Sequence, residues 1–233
     1  MVKKNTQSSS SKQGKEFEEI ADAFLVRAGF MLEGKARSNY LGIEFDQIAL
    51  WPETSKKFLV EHKGSFQGNR PGLMRTDTVK KALLSGFLNK TYEDPAPYFI
   101  ITSHIQSYDP NRVEPLDEDG NLISQDWNKI PSGLKMLEVA IESGALDAVW
   151  VIGNGEDESL VDYSKAKLEQ FMDTGVYEFW DYVEHVSGRN HRGPYGEYWY
   201  RYDTSNDDAI DKRELYLANL EQDPDSYYKK SSI

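Results

Sequence analysis

Two short apolar segments carry ionisable residues where a folded core would normally exclude them. The first runs Gly42-Ile43-Glu44-Phe45-Asp46-Gln47-Ile48-Ala49-Leu50, and the second, after a brief interruption, Phe58-Leu59-Val60-Glu61-His62-Lys63. Both have the β-branched and aromatic content of strands, and Trp51-Pro52-Glu53-Thr54-Ser55 between them has the chemistry of a turn. Side chains alternate along a strand, so Glu61 and Lys63 share a face with Leu59, whereas Phe58, Val60 and His62 point the other way. Charges among apolar neighbours need partners. Asp46 supplies one if the two segments pair as a hairpin, and two carboxylates converging on one point suit a hard cation such as Mg²⁺, which prefers oxygen ligands.

The acidic-x-Lys spacing occurs twice, at Glu33-Gly34-Lys35 and at Glu61-His62-Lys63, so spacing alone is not specific. Only the second follows an apolar strand and has an acidic strand upstream. A cross-strand ion pair on a solvated edge would explain that pair taken alone, and the elements around it therefore carry the argument. A first helix is predicted from near Gly14, with Phe17, Ile20, Ala21, Phe24, Leu25 and Ala28 at amphipathic spacing. At about 100° per residue, Glu18 falls on the border of that stripe, facing the charged end of the sheet. Glu16 and Glu19 read as first-turn acids that favour the helix dipole.

A helix with Glu18, a strand with Asp46 and a strand with Glu61-x-Lys63, in that order, resemble the PD-(D/E)xK nuclease superfamily in its Mrr-like and Holliday-resolvase-like branches. Glu16-Phe17-Glu18-Glu19-Ile20 followed by Ala28-Gly29-Phe30 is similar to the Phe-Glu helix and Gly-aromatic exit of Mrr-type catalytic domains. Gly42-Ile43-Glu44-Phe45-Asp46 resembles the Gly-Ile-Asp-type strand of that family, without the proline of the family's name. The resemblance covers about residues 14 to 152. His62 stands at a usually apolar position, and Glu44 rivals Asp46 as the upstream acid, so the choice between those two stays open.

The resemblance implies a Mg²⁺-dependent endodeoxyribonuclease that hydrolyses phosphodiesters of double-stranded DNA, with Mn²⁺ as a substitute ion. It implies Asp46, Glu61 and the backbone carbonyl of His62 as metal ligands. Lys63 would orient the attacking water and stabilise charge on the phosphorane, and Glu18 would act as an outer ligand or water-positioning group. Restriction-type defence is expected over junction resolution, because the chain exceeds a minimal resolvase core. Cleavage of both strands implies a homodimer.

Downstream, a polar loop over 64–78 leads into a predicted helix over 79–88, with Asp77 or Thr78 as its cap. A buried strand over 97–102, a helix over 132–143 and a strand over 148–152 follow, with a long loop over 107–131. This alternation predicts an α/β fold: a restriction-endonuclease-like mixed central sheet flanked by helices, with an acidic, aromatic-rich C-terminal extension. The expected organisation is a disordered tail over 1–13, a nuclease-like core over 14–155 and a helical or irregular extension over 156–233, with one helix over 160–180.

Composition bounds the remainder. The chain has no cysteine, no run long enough to span a membrane, and an N-terminal Ser- and Lys-rich stretch unlike a signal peptide, so a cytoplasmic protein is expected. The first hundred residues hold 15 Lys and Arg against 12 Asp and Glu; the rest hold 12 against 27. With a net charge of −12, binding to DNA has to be local. Arg37, Lys63, Arg70, Arg75, Lys80, Lys81 and Lys90 are the cations placed to line a groove. The alternative reading keeps the fold as a catalytically silent interaction module, with the acidic C-terminal half binding a basic protein partner or mimicking nucleic acid. Its many tyrosines fit a small core or interface better than base stacking, and His185 and His191 are given no role.

Overall fold

The structure, a computed structural model, describes residues 6–38, 42–64, 71–92, 95–108, 113, 117–123 and 127–190. All of these lie within one compact unit, Met1–Arg192. It is a mixed α/β fold whose five strands lie in sequence order: β1 (Met31–Ser38), β2 (Ile43–Trp51), β3 (Lys56–Lys63), β4 (Tyr98–Thr102) and β5 (Ala148–Val151). The first three are antiparallel neighbours, and β3, β4 and β5 run parallel. Parallel neighbours need crossovers. Helix α2 (Thr76–Asn89) supplies the first and α3 (Ser132–Glu142) the second; the two pack together on one face. The opposite face is covered by α1 (Thr6–Arg27) and α4 (Glu158–Thr174).

Periodicity accounts for this layering. Phe17, Ala21, Phe24 and Leu25 of α1, and Ala28 just after it, are all buried, and Phe58 and Val60 of β3 are buried beneath them. Phe58 stacks on Phe99, with ring centroids 4.8 Å apart, and Phe99 meets Trp150 and Phe171 edge-on. On the other face the Tyr98 hydroxyl donates to the Ala82 carbonyl at 2.8 Å, fixing α2 to β4.

Several boundaries differ from expectation. Helix α1 starts at Thr6, so residues 6–13, expected as disordered tail, continue the helix. A helix anchored by its Phe17 and Phe24 face extends one residue at a time without a new nucleation cost. Helix α2 starts at Thr76, which puts Arg75, a side chain with no acceptor, at the N-cap and Asp77 inside the first turn, where its carboxylate is engaged by Arg75. The single helix expected over 160–180 is two: α4 ends at Gly175, whose left-handed φ of 70° closes it, and α5 (Phe179–Asn190) follows.

Helices α4 and α5, which the sequence places in the C-terminal extension, pack onto the sheet. Ser164 donates to the Val151 carbonyl at 2.6 Å, Tyr177 donates to the Val149 carbonyl at 2.7 Å, and the Tyr182 oxygen accepts from the Val151 N–H at 2.7 Å. These hydroxyls stand where a sixth strand would pair, so the β5 edge is closed without one. Among the described residues no helix is long and apolar enough to cross a membrane.

Gly64 sets how closely α1 lies over the end of β3. A Cβ there would fall inside the Phe17 ring. Gly64→Ala is therefore expected to destabilise the fold by about 1–3 kcal/mol, the range for overpacking. Urea denaturation measures it, and wild-type stability in that variant would show that α1 does not rest on this glycine.

Candidate functional site

The β2–β3 ladder runs from Trp51 opposite Lys56 to Gln47 opposite Val60. One further step brings Asp46 level with Glu61, so two carboxylates meet at the open end of the strand pair. Like charges so placed destabilise a ladder, and two donors answer them. The His62 N–H donates to Asp46 Oδ2 at 2.8 Å. The Lys63 ammonium lies 3.8 Å from that same oxygen, hydrogen-bonds Glu61 Oε1, and donates to the His62 carbonyl at 3.3 Å. Behind it, Thr102 of β4 donates to the Lys63 carbonyl at 2.7 Å and holds the end of β3 in place. One cation is thus ringed by oxygens of two carboxylates and a carbonyl.

A second cation reaches the site from β1. Leu32 pairs with Ala49 and Gly34 with Ile48, but Ala36 pairs with Phe45, so Asp46 and Gln47 together face Lys35. Such a bulge re-aims side chains. Gln47 turns toward α1, where its amide donates to Asp22 Oδ1 at 3.1 Å. Lys35 Nζ lies 3.3 Å from Glu18 Oε2. Partial burial opposes the charge on Lys35, yet the Glu18 hydrogen bond and the charges of Glu18, Asp46 and Glu44 outweigh it and raise its pKa.

The Glu61 carboxyl is pushed above the usual range, chiefly by burial; Lys63 pulls it down and Asp46 adds to the rise. Its second oxygen, Oε2, is buried without a hydrogen bond. The His62 ring points to the α1 face, 3.8 Å from Asp22, and burial lowers its pKa against the pull of Asp46, Asp22 and Glu18. Four carboxylates, those of Glu18, Glu44, Asp46 and Glu61, act on the two ammoniums of Lys35 and Lys63. Among the described residues no group of three or more His, Cys, Asp or Glu is placed to hold a metal ion. The donor set is two carboxylates and a main-chain carbonyl, all hard oxygen.

Of the residues singled out in the sequence, Asp46, Glu61, Lys63 and the His62 carbonyl come together. Glu18 reaches the same end of the sheet but contacts Lys35. Glu44 is exposed and opposite Arg37 in the β1–β2 ladder, whereas Asp46 makes the contacts to His62 and Lys63. The cations expected to line a groove are spread out. Arg75 is paired with Asp77 at 3.1 Å, and Lys81 is exposed on α2. Lys80 borders an apolar groove of about 400 Å³ between α2 and α3, with Lys135, Leu84, Phe87 and Val139. Arg70 and His191 lie outside the described residues, and His185 stacks on Tyr163.

Sequence reasoning missed Lys35, Asp22 and Gln47. A signal for Lys35 existed in the first acidic-x-Lys match, whose Glu33 turns away to pair with Lys57 at 2.7 Å. The bulge that points Lys35 at the site has no sequence signature here. No protein-family model, curated protein or solved structure matches the chain.

Because Glu61 holds its proton more tightly in the folded than in the unfolded chain, stability falls as pH rises from the unfolded value, about 4.3, through the raised folded value. Glu61→Gln removes that component. In metal-free buffer the variant is expected to show a flatter dependence of Tm on pH over that window and a higher Tm at pH 7. Calorimetry across the pH series checks this; an unchanged slope would mean that burial does not penalise the charge.

Proposed function

We propose that this chain is a Mg²⁺-dependent endodeoxyribonuclease of the PD-(D/E)xK type, with a restriction-endonuclease-like core. One observation carries the reading: Asp46, Glu61 and the His62 carbonyl converge on the Lys63 ammonium at the end of the central strand pair. The ammonium marks a point where oxygens already face a positive charge. The unbonded Glu61 Oε2 and the excess of carboxylates support a hard divalent cation there.

Asp46, Glu61 and the His62 carbonyl would hold the ion. When bound, Mg²⁺, or Mn²⁺ in its place, supplies a polarised phosphate and a bound water of lowered pKa. Asp46 is held ready by the His62 N–H, so its orientation costs little on binding. Glu61 has to be ionised, and its raised pKa makes metal affinity fall with pH sooner than for an ordinary glutamate. Lys63, kept beside both carboxylates, would position the attacking water and offset the charge that builds on the phosphate oxygens. A compact ammonium suits that role better than a guanidinium. Glu18 would serve from α1 as the outer group that positions water.

The substrate in this reading is double-stranded DNA, cut by a homodimer in a restriction-type defence role. Junction resolution is the neighbouring possibility within the same chemistry. The net charge of −12 favours a second reading, in which the nuclease fold is an interaction module whose acidic C-terminal half takes a basic partner.

Supercoiled plasmid incubated with the protein and Mg²⁺, with EDTA as control, separates the two. Wild type is expected to nick only with the metal. Lys63→Ala is expected to lower cleavage about 10²–10³-fold, the scale for removing one electrostatic stabiliser, while folding and DNA binding stay near wild type. Asp46→Asn is expected to lose calorimetric Mg²⁺ binding and Glu44→Gln to keep it. Absence of both Mg²⁺ binding and nicking in the wild type would defeat the nuclease reading.

A further inference from the structure

We infer that Lys35 is a phosphate-binding residue of this site: its ammonium leaves Glu18 and takes a backbone phosphate of the DNA strand that enters from the β1 side. The inference rests on the nuclease reading and adds to it a residue that fixes the substrate. The two lysines are held differently. Lys63 is enclosed, its side chain 23% exposed, with oxygens of Asp46, Glu61 and His62 around it. Lys35 is 52% exposed and, among the described residues, pairs with the carboxylate of Glu18 at 3.3 Å, itself 35% exposed. A half-exposed ammonium with one solvated partner exchanges that partner readily.

Position supports the exchange. Among the described residues β1 is the edge of the sheet, so a polyanion reaches Lys35 there without displacing any described strand. Edge strands carry lysines to block unwanted pairing, but a lysine with that role alone has no cause to couple to a buried site. Lys35 does couple: Glu18, Asp46 and Glu44 act on it, and it acts on Glu61. It therefore stands within the field of the carboxylates that would hold the metal and is more exposed than either of them. An approaching phosphodiester meets the carboxylates of Asp46, Glu61 and Glu18. A second cation, free to leave its partner, is what lets a phosphate settle beside them.

Salt dependence of binding reads this directly, since each neutralised phosphate contributes a slope of about −0.9 in log K against log salt for B-DNA. The assay is fluorescence anisotropy of a labelled duplex with the full chain in Ca²⁺, with the duplex checked for cleavage on a gel. Lys35→Ala and Lys35→Met, the latter keeping the apolar stem, are expected to weaken binding about tenfold and to reduce the slope by about 0.9. Lys35→Arg is expected to restore both. Glu18→Gln, which removes the competitor for the ammonium, is expected to tighten binding, and Lys57→Ala, at the turn end of β3, to leave the slope unchanged. A wild-type slope in Lys35→Ala and Lys35→Met, with wild-type binding intact, would overturn the role of Lys35 and leave the nuclease reading standing. Failure of the wild type to bind duplex would instead remove the nuclease reading, and this inference with it.

Discussion

The Lys63 ammonium is the contact on which the charged end of the sheet depends. β2 and β3 pair so that Asp46 and Glu61 come level, an arrangement that repels unless a cation lies between them. At about 4 Å and an effective dielectric near 20, two unit charges interact by about 4 kcal/mol, a local cost that the buried faces of the two strands outweigh. Lys63 lies beside both carboxylates, and the His62 N–H takes a further share of the charge on Asp46. Even so, burial still pushes the Glu61 carboxyl up. The compensation is therefore incomplete, and the strand end keeps an appetite for positive charge that one ammonium does not satisfy.

The rest of the architecture makes that local tension tolerable. β3 is the middle strand, antiparallel to β2 on one side and parallel to β4 on the other. Its end is thus fixed from both sides, by the Asp46 contact to the His62 N–H and by the Thr102 hydroxyl on the Lys63 carbonyl. α1 closes the face behind it because Gly64 has no Cβ to hold Phe17 away. The two edges of the sheet are treated differently. Hydroxyls of Ser164, Tyr177 and Tyr182 close β5, whereas β1 remains the edge on which Lys35 sits.

What could be read from the sequence follows from which forces act locally. The apolar spacing of α1 and the strand character of 43–50 and 58–63 are local, and the structure has them within a few residues. The meeting of Asp46, Glu61 and Lys63 was legible because a short turn between antiparallel strands leaves few registers. Lys35 was not legible: its direction depends on two compensating slips in the β1–β2 register, which residue types at 31–50 do not announce. The packing of α4 and α5 was also hidden, since it depends on tyrosine and serine hydroxyls that read as surface polarity until β5 is seen to be an edge. Gly175 marks the break between those helices by its left-handed backbone, a signal present in the sequence but outweighed by the apolar periodicity around it.

The two lysines also explain how a site this acidic holds together. Each ammonium lies where it offsets carboxylates, Lys63 from within the strand pair and Lys35 from the edge. Lys63 is tied at both ends, its backbone by the Thr102 hydroxyl and its ammonium by Asp46 and Glu61, whereas Lys35 leans on the half-buried Glu18. On the proposed nuclease reading, a divalent cation held by Asp46 and Glu61 would take over the neutralising role and would leave both ammoniums to face a phosphate, with no rearrangement of the sheet that carries them.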